Sequence, residues 1–304
     1  MIQPINIPWN EFPKSEAVSE GMIPLSPKCD KVTCEYLPDV VYQTRGETEL
    51  HLQLLIPCEE FCPPEGVPLI VLIPGSAFHK QEVKRWLFQG MLLAVRGFAV
   101  AMTEYRGSEE APFPAQTLDA KAAIRFLKRH AREYRANPEK IVVMGDSSGG
   151  HTALMAGLTC GISALEEEEP LCGSSVRGVI DSYGPTDISK MNDELSVQDH
   201  VSPDSPEGYL IGRKNVLEHP ELAGPTVVMN YLGDGRPLPP VLIFHGSNDP
   251  LVAFSQSCML HDKLREVGAD VTFYQILGAH HGGREFWSED VLSIVEQFIR
   301  RVTA

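Results

Sequence analysis

The sequence predicts an α/β fold: a mostly parallel central sheet with helices on both faces and a small cap excursion. Three observations carry that prediction. Residues 69–73, 141–144 and 241–244 are short continuous apolar runs rich in β-branched residues, as strands buried on both faces should be. Between them lie segments with helical periodicity; Ala120, Ala123, Ile124, Leu127 and Ala131 fall on one face. The two kinds alternate along the chain, and parallel neighbours require such crossovers.

In order, residues 1–30 hold Pro4, Pro8, Pro13 and Pro24 and little periodicity. They read as an irregular N-terminal arm with Trp9 and Phe12 as anchors. Residues 31–304 read as one α/β domain with an insertion. Segments 32–36, 40–43 and 49–56 suggest a leading antiparallel meander, and 69–73 a central parallel strand. A helix is expected over 82–96, stopped by Gly97, then a strand over 98–103. The long helix containing Ala120 ends before Asn137-Pro138. Strands are expected at 141–144, 176–183 and 241–244 and at Val271–Ile276, with helices over 152–156, 255–267 and about 291–302. Residues 185–240 are rich in Asp, Pro, Gly and Ser and read as a cap or lid insertion. The run Glu166-Glu167-Glu168-Glu169 reads as a solvated surface loop.

The formal net charge of −15 argues against nucleic acid and anionic membranes as partners. No apolar run reaches the length of a membrane span. The Met1-Ile2-Gln3-Pro4 start carries no basic n-region followed by an apolar stretch, so no signal peptide is expected. Seven scattered cysteines, an odd number, suggest reduced thiols and a cytoplasmic location. Cys58 and Cys62 lack further ligands at metal spacing, so no metal and no cofactor are expected. The composition leaves a homo-oligomer open.

The chemistry gathers around Gly145-Asp146-Ser147-Ser148-Gly149-Gly150-His151. An apolar strand, a Gly-x-Ser-x-Gly turn and a helix would push the Ser147 hydroxyl out at the strand end, beside the free N–H groups of the helix start. Ser147 is the candidate nucleophile. A serine needs a base to take its proton. His280 and His281 follow a later strand and are the candidates. Asp249, at the end of the strand over 241–244, can orient the imidazole. The Ser148 N–H can donate to an oxyanion, and the turn Gly75-Ser76-Ala77 can supply further donors.

These motifs, with Tyr105-Arg106, Asp119, Tyr183-Gly184-Pro185-Thr186-Asp187, His245-Gly246-Ser247-Asn248-Asp249 and Gly278-Ala279-His280-His281-Gly282, resemble the α/β-hydrolase superfamily. The esterase/lipase branch, with hormone-sensitive-lipase-like and bacterial feruloyl and acetyl-xylan esterases, is the most similar. The resemblance implies a catalytic triad of Ser147, Asp249 and His281 and an oxyanion hole built from Ser76, Ala77 and Ser148. Pro74 stands where the branch has His, and side chains stand at two of its glycine positions. The loop is therefore expected to avoid positive φ, and the Ser76 hydroxyl to add a donor to the oxyanion. Gly75, Phe78 and His79, with the 185–240 excursion, are expected to bind substrate. The implied activity is a serine carboxylesterase acting on a small-molecule ester, of short acyl or aryl type and by analogy acetyl or feruloyl esters of plant carbohydrate. An amidase of the kynurenine-formamidase kind and a non-catalytic binding protein on the same scaffold are the alternatives.

Overall fold

A computed structural model describes residues 3–167 and 173–304 and divides the chain into two compact units, Met1–Lys31 and Val32–Ala304. The first contains one short 3-10 turn, Trp9–Glu11.

The second unit is built on one eight-stranded sheet: β1 (Cys34–Arg45), β2 (Thr48–Pro57), β3 (Val67–Ile73), β4 (Ala99–Thr103), β5 (Ala136–Asp146), β6 (Gly178–Ser182), β7 (Val241–Gly246) and β8 (Val271–Ile276). Their spatial order is β1-β2-β4-β3-β5-β6-β7-β8. The β1/β2 and β2/β4 pairs are antiparallel and the rest are parallel. The leading strands expected at 32–36 and 40–43 are one strand. Pro38 cannot donate to the ladder and Asp39 takes φ 53°, so β1 bulges between Leu37 and Val40 instead of turning back.

The helices cover both faces. On one lie α2 (Ala115–His130), α3 (Ser148–Leu158) and α6 (Ser255–Glu266), which bury Ile124, Leu127, Leu154, Met155 and Leu260 against Val71, Val143 and Ile243. On the other, α1 (Leu87–Ala94) and α7 (Glu289–Val302) bury Leu93, Val295 and Phe298 against Ile70, Val142 and Leu242. Alternate residues of each central strand thus feed two separate apolar layers, which is why those strands read as unbroken apolar runs. Residues 185–240 form short turns of helix, including α4 (Pro206–Leu210) and α5 (Pro220–Ala223). They enclose a small third core of Phe78, Ile188, Leu210, Ile211, Val216 and Ala223. Among the described residues, no helix is long and apolar enough to cross a membrane.

The reading of Glu166 as solvated is overturned. Its carboxylate is fully buried: Oε1 accepts from Lys121 Nζ at 2.9 Å and Ser174 Oγ at 2.9 Å, and Oε2 from Arg125 Nη1 at 2.7 Å. A run of acids suggests water, but two cations on α2 with no route to solvent outweigh that tendency. Glu168 and Glu169 lie outside the described residues. Removing the carboxylate leaves the buried Lys121 ammonium with only the Thr159 and Leu165 carbonyls and no counter-charge from Glu166, so Glu166→Ala should lower the free energy of unfolding by about 3–5 kcal/mol, read from urea denaturation.

Candidate active site

β5 and α3 meet at Ser147, whose backbone takes φ 52° and ψ −129°. A residue with a side chain persists at such an angle only where its surroundings hold it there. The glycines around it allow the necessary approach. A Cβ on Gly145 would lie 2.1 Å from the Gly149 carbonyl oxygen, and one on Gly149 only 2.0 Å from that of Ile73. Strand, turn and helix are therefore packed backbone against backbone, which leaves the Ser147 side chain as the group that projects.

His281, on the loop after β8, reaches it. Its Nε2 lies 2.9 Å from Ser147 Oγ and its Nδ1 2.7 Å from Asp249 Oδ2. Asp249 is on the turn after β7, and its Oδ1 also accepts the Leu251 and Val252 N–H groups at 2.8 and 3.0 Å. Burial alone would raise this carboxyl's pKa, but hydrogen bonds from His245 and His281 hold it well below the usual range. An ionised carboxylate can only accept, so Nδ1 carries the imidazole proton and Nε2 keeps a lone pair for the Ser147 hydroxyl. His280 is exposed, and its Nδ1 donates to the Asn248 carbonyl at 2.9 Å. Of the two candidate bases, only His281 contacts Ser147.

The loop after β3 departs from expectation at three points. Ala77 and Phe78 take φ 54° and 64°, so the loop adopts the positive φ that its side chains were expected to forbid. Burial of Phe78 in the cap core, at 1% exposure, holds this costly geometry. Second, the Ser76 N–H donates to Ser148 Oγ at 2.8 Å. Its hydroxyl donates to the His79 carbonyl at 2.5 Å and lies 3.1 Å from Tyr105 Oη. Both Ser76 donors are committed within the loop and neither is free for an oxyanion. Among the described residues, the Ala77 and Ser148 N–H groups have no backbone or side-chain acceptor, and both residues line the cavity beside Ser147. Third, His79 does not line the cavity. Its Nδ1 pairs with Glu109 Oε2 at 3.1 Å and its ring meets Tyr209 edge-on, because the turn at 76–79 swings its side chain away.

A cavity of about 290 Å³ opens beside Ser147. Gly75, Ser76, Ala77 and Phe78 form one wall, and Pro185, His200, Pro206 and Glu207 of the 185–240 segment form another. Gly75 is there for space: a Cβ would lie 2.8 Å from Ser147 Cβ. His200 and Glu207 are 2% and 3% exposed and face each other at 2.9 Å, Nδ1 to Oε2. Burial works against the His200 cation, but the Glu207 carboxylate raises its pKa. His200 Nε2 donates to the Leu251 carbonyl at 2.9 Å, which links the pair to the Asp249 turn.

Several supporting residues escaped sequence reasoning. His245 is fully buried, with Nδ1 2.7 Å from Ser257 Oγ and Nε2 3.1 Å from the Val252 carbonyl and 3.4 Å from Asp249 Oδ2. Its signal was visible as a histidine four positions before the candidate acid, at the same strand end. The Tyr183 ring lies against His281 at 4.6 Å between centroids. The pair His200–Glu207 gave no signal, because its partners sit in a segment with no periodicity.

Two more carboxyls sit behind the site. Burial pushes Asp146 up to about 6 despite the Gly75 N–H it accepts, and Asp181 up to about 7 despite that of Gly184. An acid whose folded pKa is raised stabilises the fold at low pH and loses that contribution as pH rises. For Asp181 the loss spans about pH 4 to 7 and is on the order of a few kcal/mol. Asp181→Asn should therefore flatten the decline in melting temperature between pH 5 and pH 8; an unchanged slope would remove Asp181 as its cause.

The sequence profile of the BD-FAE family matches residues 59–264. Esterase LipQ of Mycobacterium tuberculosis is 24% identical over 224 residues, which cover 73% of this chain and 52% of LipQ. The chain spans about half the length of such relatives. Among solved structures, a truncated carbohydrate esterase from gut microbiota is 29% identical, with a TM-score of 0.78 over 91% of this chain and 99% of that one. A bifunctional GH43-CE protein of Bacteroides eggerthii is also 29% identical, with a TM-score of 0.76 over 88% of this chain and 38% of that one. The sheet order and these likenesses give the α/β-hydrolase fold. With about two thirds of its length inside the matched profile, the chain belongs to the BD-FAE family.

Proposed function

We propose that the chain is a serine carboxylesterase that hydrolyses short acyl esters through an acyl-enzyme on Ser147. The observation that carries this reading is the unbroken line from Asp249 Oδ2 to His281 Nδ1 (2.7 Å) and from His281 Nε2 to Ser147 Oγ (2.9 Å). Ser147 Oγ attacks the ester carbonyl and passes its proton to His281 Nε2, while Asp249 stabilises the imidazolium. The Ala77 and Ser148 N–H groups receive the oxyanion. Collapse of the tetrahedral intermediate breaks the bond to the alcohol, which takes the proton from His281. A water then repeats the sequence and frees Ser147 and the acid.

The acyl group occupies the 290 Å³ cavity, with residues 185–240 as its cap. A cavity of this size, closed by the cap, has room for short acyl groups and little more. The solved relative described as a carbohydrate esterase supports sugar esters as the substrate class. The test is labelling by a fluorophosphonate probe, followed by rates on acetyl, butyryl, feruloyl and formamide substrates. Probe labelling that is blocked by Ser147→Ala, with acetyl esters cleaved fastest, is the expected result. Formamide cleavage without ester cleavage would make the chain an amidase, and no labelling would end the enzyme reading.

A further inference from the structure

One wall of the cavity beside Ser147 is polar where a plain acyl chain needs only apolar surface. Glu207, in the first turn of α4, and His200 line it together with Ser147, Ala77 and Ser148. Both side chains are closed off from solvent, at 3% and 2% exposure. His200 Nδ1 and Glu207 Oε2 come within 2.9 Å, yet the approach lies off the line of a hydrogen bond. Among the described residues, neither atom has an aligned partner. The ring cannot turn to improve the contact, because its Nε2 is held between the Leu251 carbonyl at 2.9 Å and Ser196 Oγ at 3.0 Å. Glu207 is held by α4, which Ser205 caps by accepting the Gly208 N–H at 2.9 Å.

Such a pair is costly in a wall that only has to exclude water. A buried carboxylate without aligned donors is destabilising, and apolar side chains of similar volume would be at least as stable in its place. Leu210, three positions further along α4, packs into the cap core, so this helix presents an apolar side chain where one is wanted.

The chemistry of the pair states what it would bind. His200 Nε2 already donates to a carbonyl. Burial opposes a second proton on the ring, but the adjacent Glu207 carboxylate favours one, on Nδ1, and lifts the ring's pKa above its ordinary value. The wall then offers a donor and an acceptor side by side. A hydroxyl is the small group that meets both at once, donating to Glu207 Oε2 and accepting from His200 Nδ1. An ammonium would be repelled by the imidazolium and a carboxylate by Glu207, while a methyl group would leave both atoms as they are.

We infer that His200 and Glu207 are the specificity-determining pair of the acyl pocket and that they select a short acyl group carrying a hydroxyl over its plain alkyl counterpart. The inference rests on the esterase reading, which puts the acyl group in this cavity, and names the acyl class that reading leaves open.

The experiment measures kcat/KM by pH-stat for two pairs of ethyl esters: propanoate with 2-hydroxypropanoate, and butanoate with 3-hydroxybutanoate, using both enantiomers of each hydroxy ester. Each value is divided by the rate of alkaline hydrolysis of the same ester, which removes intrinsic reactivity. In the wild type, at least one hydroxy ester should exceed its plain partner by about tenfold, mostly through KM. In Glu207→Met that ratio should fall to about one, whereas Glu207→Gln, which keeps an acceptor oxygen, should retain part of it. A wild-type ratio near one would overturn the inference while leaving the esterase reading intact, and this arm needs no variant to fold. A ratio that survives Glu207→Met, with both esters of a pair slowed alike, would reduce the pair to a brace for the cap and overturn it too. Faster cleavage of ethyl 3-aminobutanoate than of the 3-hydroxy ester would overturn it in favour of a cationic acyl group. Absence of cleavage of every ester, with no fluorophosphonate labelling, would instead defeat the esterase reading itself.

Discussion

Ser147→Ala should lower kcat on a short acyl ester by on the order of a million-fold, leaving a residue of about a thousand-fold over the uncatalysed rate. The reason is that Ser147 and His281 act as one unit. Without the hydroxyl, the lone pair at His281 Nε2 has only water left to activate. The oxyanion donors and the cavity still bind the ester, and they account for the remainder. The double variant Ser147→Ala/His281→Ala should be little slower than Ser147→Ala alone, since the second change removes a partner already idle. Initial rates on 4-nitrophenyl acetate, with far-UV circular dichroism to confirm folding, check both. A double variant slower by another factor of a thousand would mean that His281 acts independently of Ser147.

Asp249→Asn should cost about ten-thousand-fold in kcat with little change in melting temperature. The asparagine oxygen can still accept the Leu251 and Val252 N–H groups, so the turn after β7 survives. Its amide NH₂ would face His281 Nδ1 at the position of Oδ2 and turn that nitrogen into an acceptor. The imidazole proton then sits on Nε2 and points at Ser147 Oγ, the wrong way round for a base. The wild-type pH profile adds a check. The Asp249 carboxyl is held well below its ordinary pKa, so it stays ionised across the working range. The variant should stay slow at every pH, and recovery at alkaline pH would contradict the tautomer argument.

The parts of this fold legible in the sequence are those in which local chemistry and tertiary role agree. Residues 69–73 of β3, 141–144 of β5 and 241–244 of β7 are buried on both faces, so every residue along these stretches is apolar and the period-free run is itself the signal. The Ser147 turn was readable because its glycines are demanded by backbone contacts of about 2 Å that any Cβ would create. Asp249 and His281 were readable from their positions at strand ends, although the choice between His280 and His281 needed family likeness or geometry. What stayed hidden depends on distant partners. The Ala77 and Phe78 backbone angles are imposed by cap residues more than a hundred positions later. The Ser76 donors are claimed by Ser148 and His79, and no local pattern reports where a hydroxyl points. Glu166 read as surface because its neighbours are acidic, while its cationic partners lie about forty residues earlier on α2.

The hydrogen bond from the Ser76 N–H to Ser148 Oγ joins two chain segments that are 72 positions apart. It moors the loop that carries Ala77 to the helix that carries the Ser148 N–H. The spacing of those two donors is thus held by the fold itself, and substrate need not spend binding energy to draw them together. The same mooring transmits disturbance. Strain introduced at the cap core around Phe78 has a short mechanical path to the start of α3, so substitutions in residues 185–240 can alter turnover without touching the ester. Evolution of a new acyl preference in this cap is therefore coupled to the reaction rate, and gains in one are expected to need compensating changes near the other.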